Sequence, residues 1–279
     1  MKKIICLMMV VGLVTACAKD DYAGDMPAGK GTVSFAVAQQ GVVSARVQAA
    51  GDGIDLATLG IDLPTSGDEL TLKFNSVDGE YSFTGTVGQY NKDAKRTYLE
   101  QGLYSAEVMW GNAETEGTNA AHFYGQTGVQ ITPRTHSSEN ITATLSKALV
   151  RIDFTDEFKG YFANGAEIKL ATSSNPDAEF VVTYDNGNAG KPYFVLAGDA
   201  KSFTISGKAT KQHPATHIQA TPIEFTPISR NDVVAHKLYT YVFDVNNANS
   251  VSVKVTITNE PIEEITVATI EMNDDALMD

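Results

Sequence analysis

The chain has 279 residues, 43% hydrophobic and 20% charged, which is the mix of a folded globular protein with room for two ordinary domains; wholesale disorder, collagen-like fibres and coiled coils are excluded. Its 34 acidic residues outnumber 21 basic ones for a net charge of −13, a balance that repels phosphate backbones, so nucleic acid is not an expected partner.

Residues 1–16 read as a signal peptide: Lys2 and Lys3, an apolar run from Ile4 to Val14, then Thr15 and Ala16 before Cys17. The run is too short to span a membrane, and no later stretch approaches the ~20 apolar residues a span needs. Val14-Thr15-Ala16-Cys17 resembles a bacterial lipobox, which makes Cys17 the expected lipidation site, carrying acyl chains such as palmitate into the outer membrane. Cys6 leaves with the signal and Cys17 is used by the lipid. The remaining chain then has no disulfide, no thiolate nucleophile and no Cys-ligated metal. Residues 17–31 form an acidic tether, and Lys19-Asp20-Asp21 after the Cys resembles the Bacteroidetes lipoprotein export signal. That signal implies a cell-surface location on the outer membrane.

From Thr32 onward, short alternating runs recur about every ten residues between Gly, Asn, Asp and Ser, the pattern of an all-β sandwich protein. Strands are expected at Thr32 to Ala38, Glu69 to Asn75, Tyr81 to Val87, Leu103 to Trp110, Gly128 to Thr132 and Asn140 to Leu145. They continue at Leu149 to Phe154, Ala166 to Thr172, Phe180 to Tyr184, Tyr193 to Leu196, Phe203 to Ser206, Lys237 to Asn246, Val251 to Thr258 and Ile262 to Ile270. In the run from Leu238 to Phe243 both faces are apolar, as in a central strand covered on both sides. Asn246 to Asn249 and Asp185 to Asn188 read as turns.

One short helix is expected, Thr155 to Phe162, with Thr155 as N-cap and Phe158, Tyr161 and Phe162 on one face; it would plug the gap at a domain junction. The two tandem β-sandwich domains are placed at 32–146 and 147–272, ahead of an acidic tail at 273–279. The short connection at Ser146 implies a fairly fixed angle between them.

Leu99-Glu100-Gln101-Gly102-Leu103-Tyr104, then His122-Phe123-Tyr124-Gly125, then the stretch from Ala148 to Phe158 resemble a Bacteroidetes family of fimbrillin-like surface lipoproteins. The resemblance implies Ig-like or transthyretin-like sandwiches and a role in cell adhesion or as an accessory pilus subunit, with other fimbrial subunits, surface glycans or surface proteins as partners. It also implies processing by a protease after an Arg near the first strand, for which Arg46 is the candidate. Such a cut frees a groove for a strand from the next subunit, and Ile262 to Ile270 is a candidate donor.

No cofactor and no catalytic machinery are expected. His213 and His217 are four apart, but Pro214 between them argues against the helix that would bring both to a metal. There is no Gly-x-Ser-x-Gly elbow and no Gly-rich phosphate loop. His122 reads as a packed or hydrogen-bonded strand residue. The rival function is a monomeric glycan-binding lipoprotein with Trp110 as sugar platform, although Tyr104, Ala106, Val108 and Trp110 share one strand face and this points Trp110 at the core. The loops Asn112 to Asn119 and Asp185 to Gly190 are candidate contact sites.

Overall fold

The structure is a computed structural model that describes residues 26–39, 59–177, 180–212, 219–245, 251–258 and 265–266. Cys17, Lys19, Asp20, Asp21, Arg46, His213, His217 and the Asn246 to Asn249 turn lie outside the described residues.

The protein is all-β. Its first seven strands are β1 (Lys30–Gln39), β2 (Thr71–Ser76), β3 (Ser82–Thr86), β4 (Leu99–Glu100), β5 (Gly102–Gly111), β6 (His122–Ile131) and β7 (His136–Leu145). They form a seven-stranded sheet in the order β3-β2-β5-β6-β7-β1-β4, in which β1 runs parallel to β7. β1 and β2 are four strand spacings apart in this order, about 19 Å in a flat sheet. Yet the rings of Phe35 on β1 and Phe74 on β2 are 5.0 Å apart, so the sheet folds back on itself and encloses its own core. The fold occurs where β6 meets β7 and pairs only through Phe123 with Leu145 and Tyr124 with Thr144. At Gly125 any Cβ would overlap the Thr142 carbonyl oxygen, so this close approach requires the glycine.

The second set comprises β8 (Ala148–Phe154), β9 (Ala166–Thr172), β10 (Phe180–Val182), β11 (Pro192–Val195), β12 (Ser202–Gln212), β13 (Gln219–Asn231), β14 (Leu238–Val245), β15 (Val251–Thr258) and β16 (Ile265–Thr266). These build a four-stranded sheet, β10-β9-β12-β13, and a five-stranded sheet, β11-β8-β14-β15-β16, with β8 parallel to β14. The two sheets face each other: Phe203 of β12 meets Tyr239 of β14 at 5.4 Å between ring centroids. The turn around Asp185 to Asn188 therefore carries the chain from one sheet to the other, since β10 pairs with β9 and β11 with β8.

Two helices fill these cores. α2 (Asp156–Tyr161) is capped by Thr155, whose Oγ1 accepts from the Phe158 amide at 3.1 Å and donates to Asp244 Oδ1 at 2.7 Å. Phe158 and Phe162 are fully buried in the second core, against Phe154, Phe225 and Phe243. The helix thus packs into one sandwich rather than filling a gap between two. A second helix, α1 (Val87–Asp93), was not expected from periodicity, because it is two turns long and holds Gly88. Its signal is the capping box Thr86-x-x-Gln89: Gln89 N–H donates to Thr86 Oγ1 at 3.1 Å, and Thr86 N–H donates to Gln89 Oε1 at 2.9 Å. α1 delivers Tyr90 to Phe35, Phe74 and Phe83 in the first core.

β13 was also not expected. Pro222 and Pro227 interrupt its alternation, and it is an edge strand whose register against β12 shifts between Ile205 and Gly207, opposite Pro227. Edges and bulges are where a sheet tolerates proline. Among the described residues no helix is long and apolar enough to cross a membrane.

Candidate functional site

The densest buried polar chemistry lies where the two strand sets meet. Leu149, Phe194 and Leu238 are cross-strand neighbours on β8, β11 and β14, and all three join the first core. Their sequence neighbours Val150, Tyr193, Val195 and Tyr239 point to the opposite face, into the second core. One end of the five-stranded sheet is therefore apolar on both faces and roofs the first sandwich. The two-sided cover expected for the Leu238 to Phe243 run is found at Leu238, while Thr240 and Val242 on the same face are half-buried.

Over this apolar contact lies a strap, the segment 112–121 between β5 and β6. Lys147, between β7 and β8, is only 1% exposed, and its ammonium donates to the carbonyls of Asn112 at 2.7 Å, Ala120 at 2.6 Å and Thr115. Three donors meet three acceptors, which is what makes a buried ammonium tolerable. Burial pushes the Lys147 amine down to about 8, an effect that the nearby Glu116 carboxylate opposes. Glu116 reaches the other way: its carboxylate accepts from Thr172 Oγ1 and, at 2.8 Å, from the Leu196 amide. The backbones of Gly117 and Phe194 exchange two hydrogen bonds, at 3.1 and 2.8 Å, adding Gly117 to the β11 edge. The strap is thus pinned by a cation on one side and by a carboxylate and a bridge on the other.

His122 stands at the end of the strap, 7% exposed, with Nδ1 2.6 Å from Ser146 Oγ. Burial first, and then the charge of Lys147, hold its imidazole below the ordinary histidine value. It is the packed, hydrogen-bonded strand residue that the sequence suggested. His136 is likewise tied, to Thr32 Oγ1 at 2.7 Å and Ser34 Oγ at 3.3 Å, while His236 is exposed.

The loop Asn112 to Asn119, a candidate contact site in the sequence, forms this strap. Asn112 to Thr115 keep exposed side chains. The loop Asp185 to Gly190 is built on itself: the Asn186 and Asn188 amides both donate to the Val181 carbonyl at 2.8 Å. Trp110 is half-buried and lies 6.2 Å from Phe123 between ring centroids. Among the described residues no group of three His, Cys, Asp or Glu side chains could hold a metal. A cavity of about 290 Å³ is lined by residues 197–199 and 232–235, among them Asp199, Asp232 and Val233. Lys147 and Glu116 were missed by sequence reasoning, and no local signal marks either one. A lysine between a Ser and an Ala is ordinary until three carbonyls converge on it.

No curated protein matches the chain. Solved structures do. A "putative cell adhesion protein" from Parabacteroides distasonis is 10% identical, with a TM-score of 0.43 over 83% of this chain and 98% of that one. A "putative adhesin" from Bacteroides thetaiotaomicron is 12% identical, with a TM-score of 0.40 over 85% and 98%. A fimbrial assembly protein from Parabacteroides distasonis is 11% identical, with a TM-score of 0.38 over 71% and 90%. A family model spans residues 29–274, which include every strand from β1 to β16, and the chain therefore belongs to the family described as Domain of unknown function (DUF4493).

Proposed function

We propose that the protein is a surface-anchored, non-catalytic, fimbrillin-like lipoprotein of the outer membrane, acting in adhesion or as an accessory pilus subunit. Acylated Cys17 holds it to the membrane, and Lys19, Asp20 and Asp21 direct it to the cell surface. The observation that carries this reading is the use made of the buried ionisable groups. Lys147, Glu116 and His122 bind backbone groups and hydroxyls that tie the strand sets together, which suits a load-bearing body. The working surfaces are then strand edges and exposed loops.

The position of β1 supports processing at Arg46. A cut after Arg46 separates β1 covalently from the rest of the chain, and β1 pairs in parallel with β7 from Thr32 to Gln39 while inserting Val33 and Phe35 into the core. Loss of β1 would open one side of β7 and an apolar groove, the shape that accepts an extended strand. The anchor at Cys17 would leave with β1, so a cut subunit is held by its neighbours. Ile265 and Thr266, from the candidate donor stretch, pair with β15 of their own sheet. The glycan-binding rival is less favoured, because Trp110 packs part of its ring against Phe123.

The test is an immunoblot of unboiled and boiled outer membranes beside intact cells treated with external protease. A ladder that collapses on boiling, with subunits beginning after Arg46, is the expected result for an assembling subunit. A single protease-sensitive band of unprocessed length removes assembly and leaves a surface monomer. A band that external protease never reaches overturns the surface location.

A further inference from the structure

We propose that His122 is an acid-triggered release for the strap: protonation of its imidazole frees the segment 112–121 and unfastens the two strand sets from one another. The geometry places the ring at the fastening itself. His122 opens β6 directly after the strap, its Nδ1 meets Ser146 Oγ at 2.6 Å, and its carbonyl accepts from the Ser146 amide at 2.9 Å. The next residue is Lys147, whose ammonium grips the Ala120 carbonyl two residues before His122. Imidazole and ammonium therefore share one poorly hydrated region at the root of the strap.

While the imidazole is neutral, the region holds one cation with three carbonyl acceptors. A proton on His122 adds a second cation there. The charged group that acts on His122 is Lys147, which repels it. The strand opposite, at Gly111, brings no charge, and Ser146 brings only a hydroxyl. The Glu116 carboxylate acts on Lys147 and is bonded to Thr172 and Leu196 in the second strand set. Burial and the Lys147 charge both lower the imidazole's proton affinity, so a form with His122 in water takes the proton more readily. The sign follows from linkage. The closed strap is fully favoured above the ordinary histidine value of 6.5 and loses ground as pH falls below it, by up to about tenfold per pH unit while the two forms differ by one proton.

Hydrogen exchange in the intact protein tests this at the amides of Gly117 and Phe194, which bond to each other across the junction. After correction for intrinsic rates, their protection is expected to fall between pH 7 and pH 5, by at most about tenfold per pH unit, with amides of β5 unchanged. In His122→Gln the fall is expected to vanish. Equal protection at both pH values overturns the proposal, as does a fall that persists in His122→Gln or one that β5 shares. Should the variant fold poorly, the His122 ring resonances in the unaltered protein decide: a titration midpoint below 6.5 that coincides with strap opening supports the release, and a midpoint at or above 6.5 sinks it.

Discussion

The two strand sets share a plan and close it differently. In each, the first strand runs parallel to a much later one, β1 beside β7 and β8 beside β14, and in each a short Thr-capped helix drives an aromatic ring into the core. On its other side, however, β8 has a true strand neighbour, β11, paired over four residues. Among the described residues, β1 has only β4 there, which covers Lys30 and Gly31. Further along, a side chain substitutes for a strand: the Asn91 amide on α1 donates to the Phe35 carbonyl at 2.7 Å and accepts from the Phe35 amide at 3.0 Å. A backbone ladder spreads its hold over many groups, whereas among the described residues this stretch of the edge is held by one side chain. The first strand is thus the more detachable of the two, which is the property that processing after Arg46 would use.

Four substitutions or conditions sharpen the contrast. The largest effect is expected from Phe158→Ala, which removes a fully buried ring from the second core and should cost about 4 kcal/mol in denaturant unfolding. Because that ring belongs to one core only, hydrogen exchange should rise in β8, β9 and β14 well before β2 and β5. Asn91→Leu keeps the bulk but leaves the Phe35 amide and carbonyl without partners, with an expected loss of about 2 kcal/mol in stability and increased exchange along β1. An unchanged β1 would break the claim that this edge rests on one side chain. Lys147→Met should cost less overall, about 1 kcal/mol, since losing a buried charge offsets part of the three lost hydrogen bonds. Its mark is a single thermal transition that becomes two as the sets uncouple.

The smallest effect is on the alkaline side. The Lys147 amine sits near 8 in the folded chain against 10.5 when free, so unfolding takes up a proton between these values and its contribution to stability rises with pH across that window. Buried phenols act in the opposite sense above it. Burial raises Tyr184 to about 12 and raises Tyr90 and Tyr241 as well, so the unfolded chain ionises first above pH 10 and stability falls. Denaturation midpoints from pH 7.5 to 11 should therefore pass through a maximum. A monotonic fall from pH 8, or a maximum that persists unchanged in Lys147→Met, would show that the ammonium is not held as the geometry indicates.

Much of the fold was legible locally. The spans Ala166 to Thr172 and Val251 to Thr258 coincide with β9 and β15, because one face of each run alternates with the other at the period of a strand. Thr155 and the aromatic spacing after it gave α2. β6 and β12 are longer than the spans Gly128 to Thr132 and Phe203 to Ser206 expected for them, because Gly125 and Gly207 interrupt the alternation at close backbone approaches that leave no room for a Cβ. Prolines hid β13, since an edge position and a bulge are tertiary facts.

The sequence by itself determined the class of fold, the aromatic cores and the motifs that carry the family resemblance, because strand alternation and helix caps act between residues close in the chain. Only the tertiary structure decided that a polar loop becomes a strap, that Lys147 is buried and that Asn91 completes an edge. Each of those roles depends on partners far along the chain: Lys147 binds carbonyls 27 to 35 residues away, Glu116 reaches Leu196 across 80, and Asn91 reaches Phe35 across 56. A buried polar group is tolerated only where its partners converge, and convergence is a property of the folded chain.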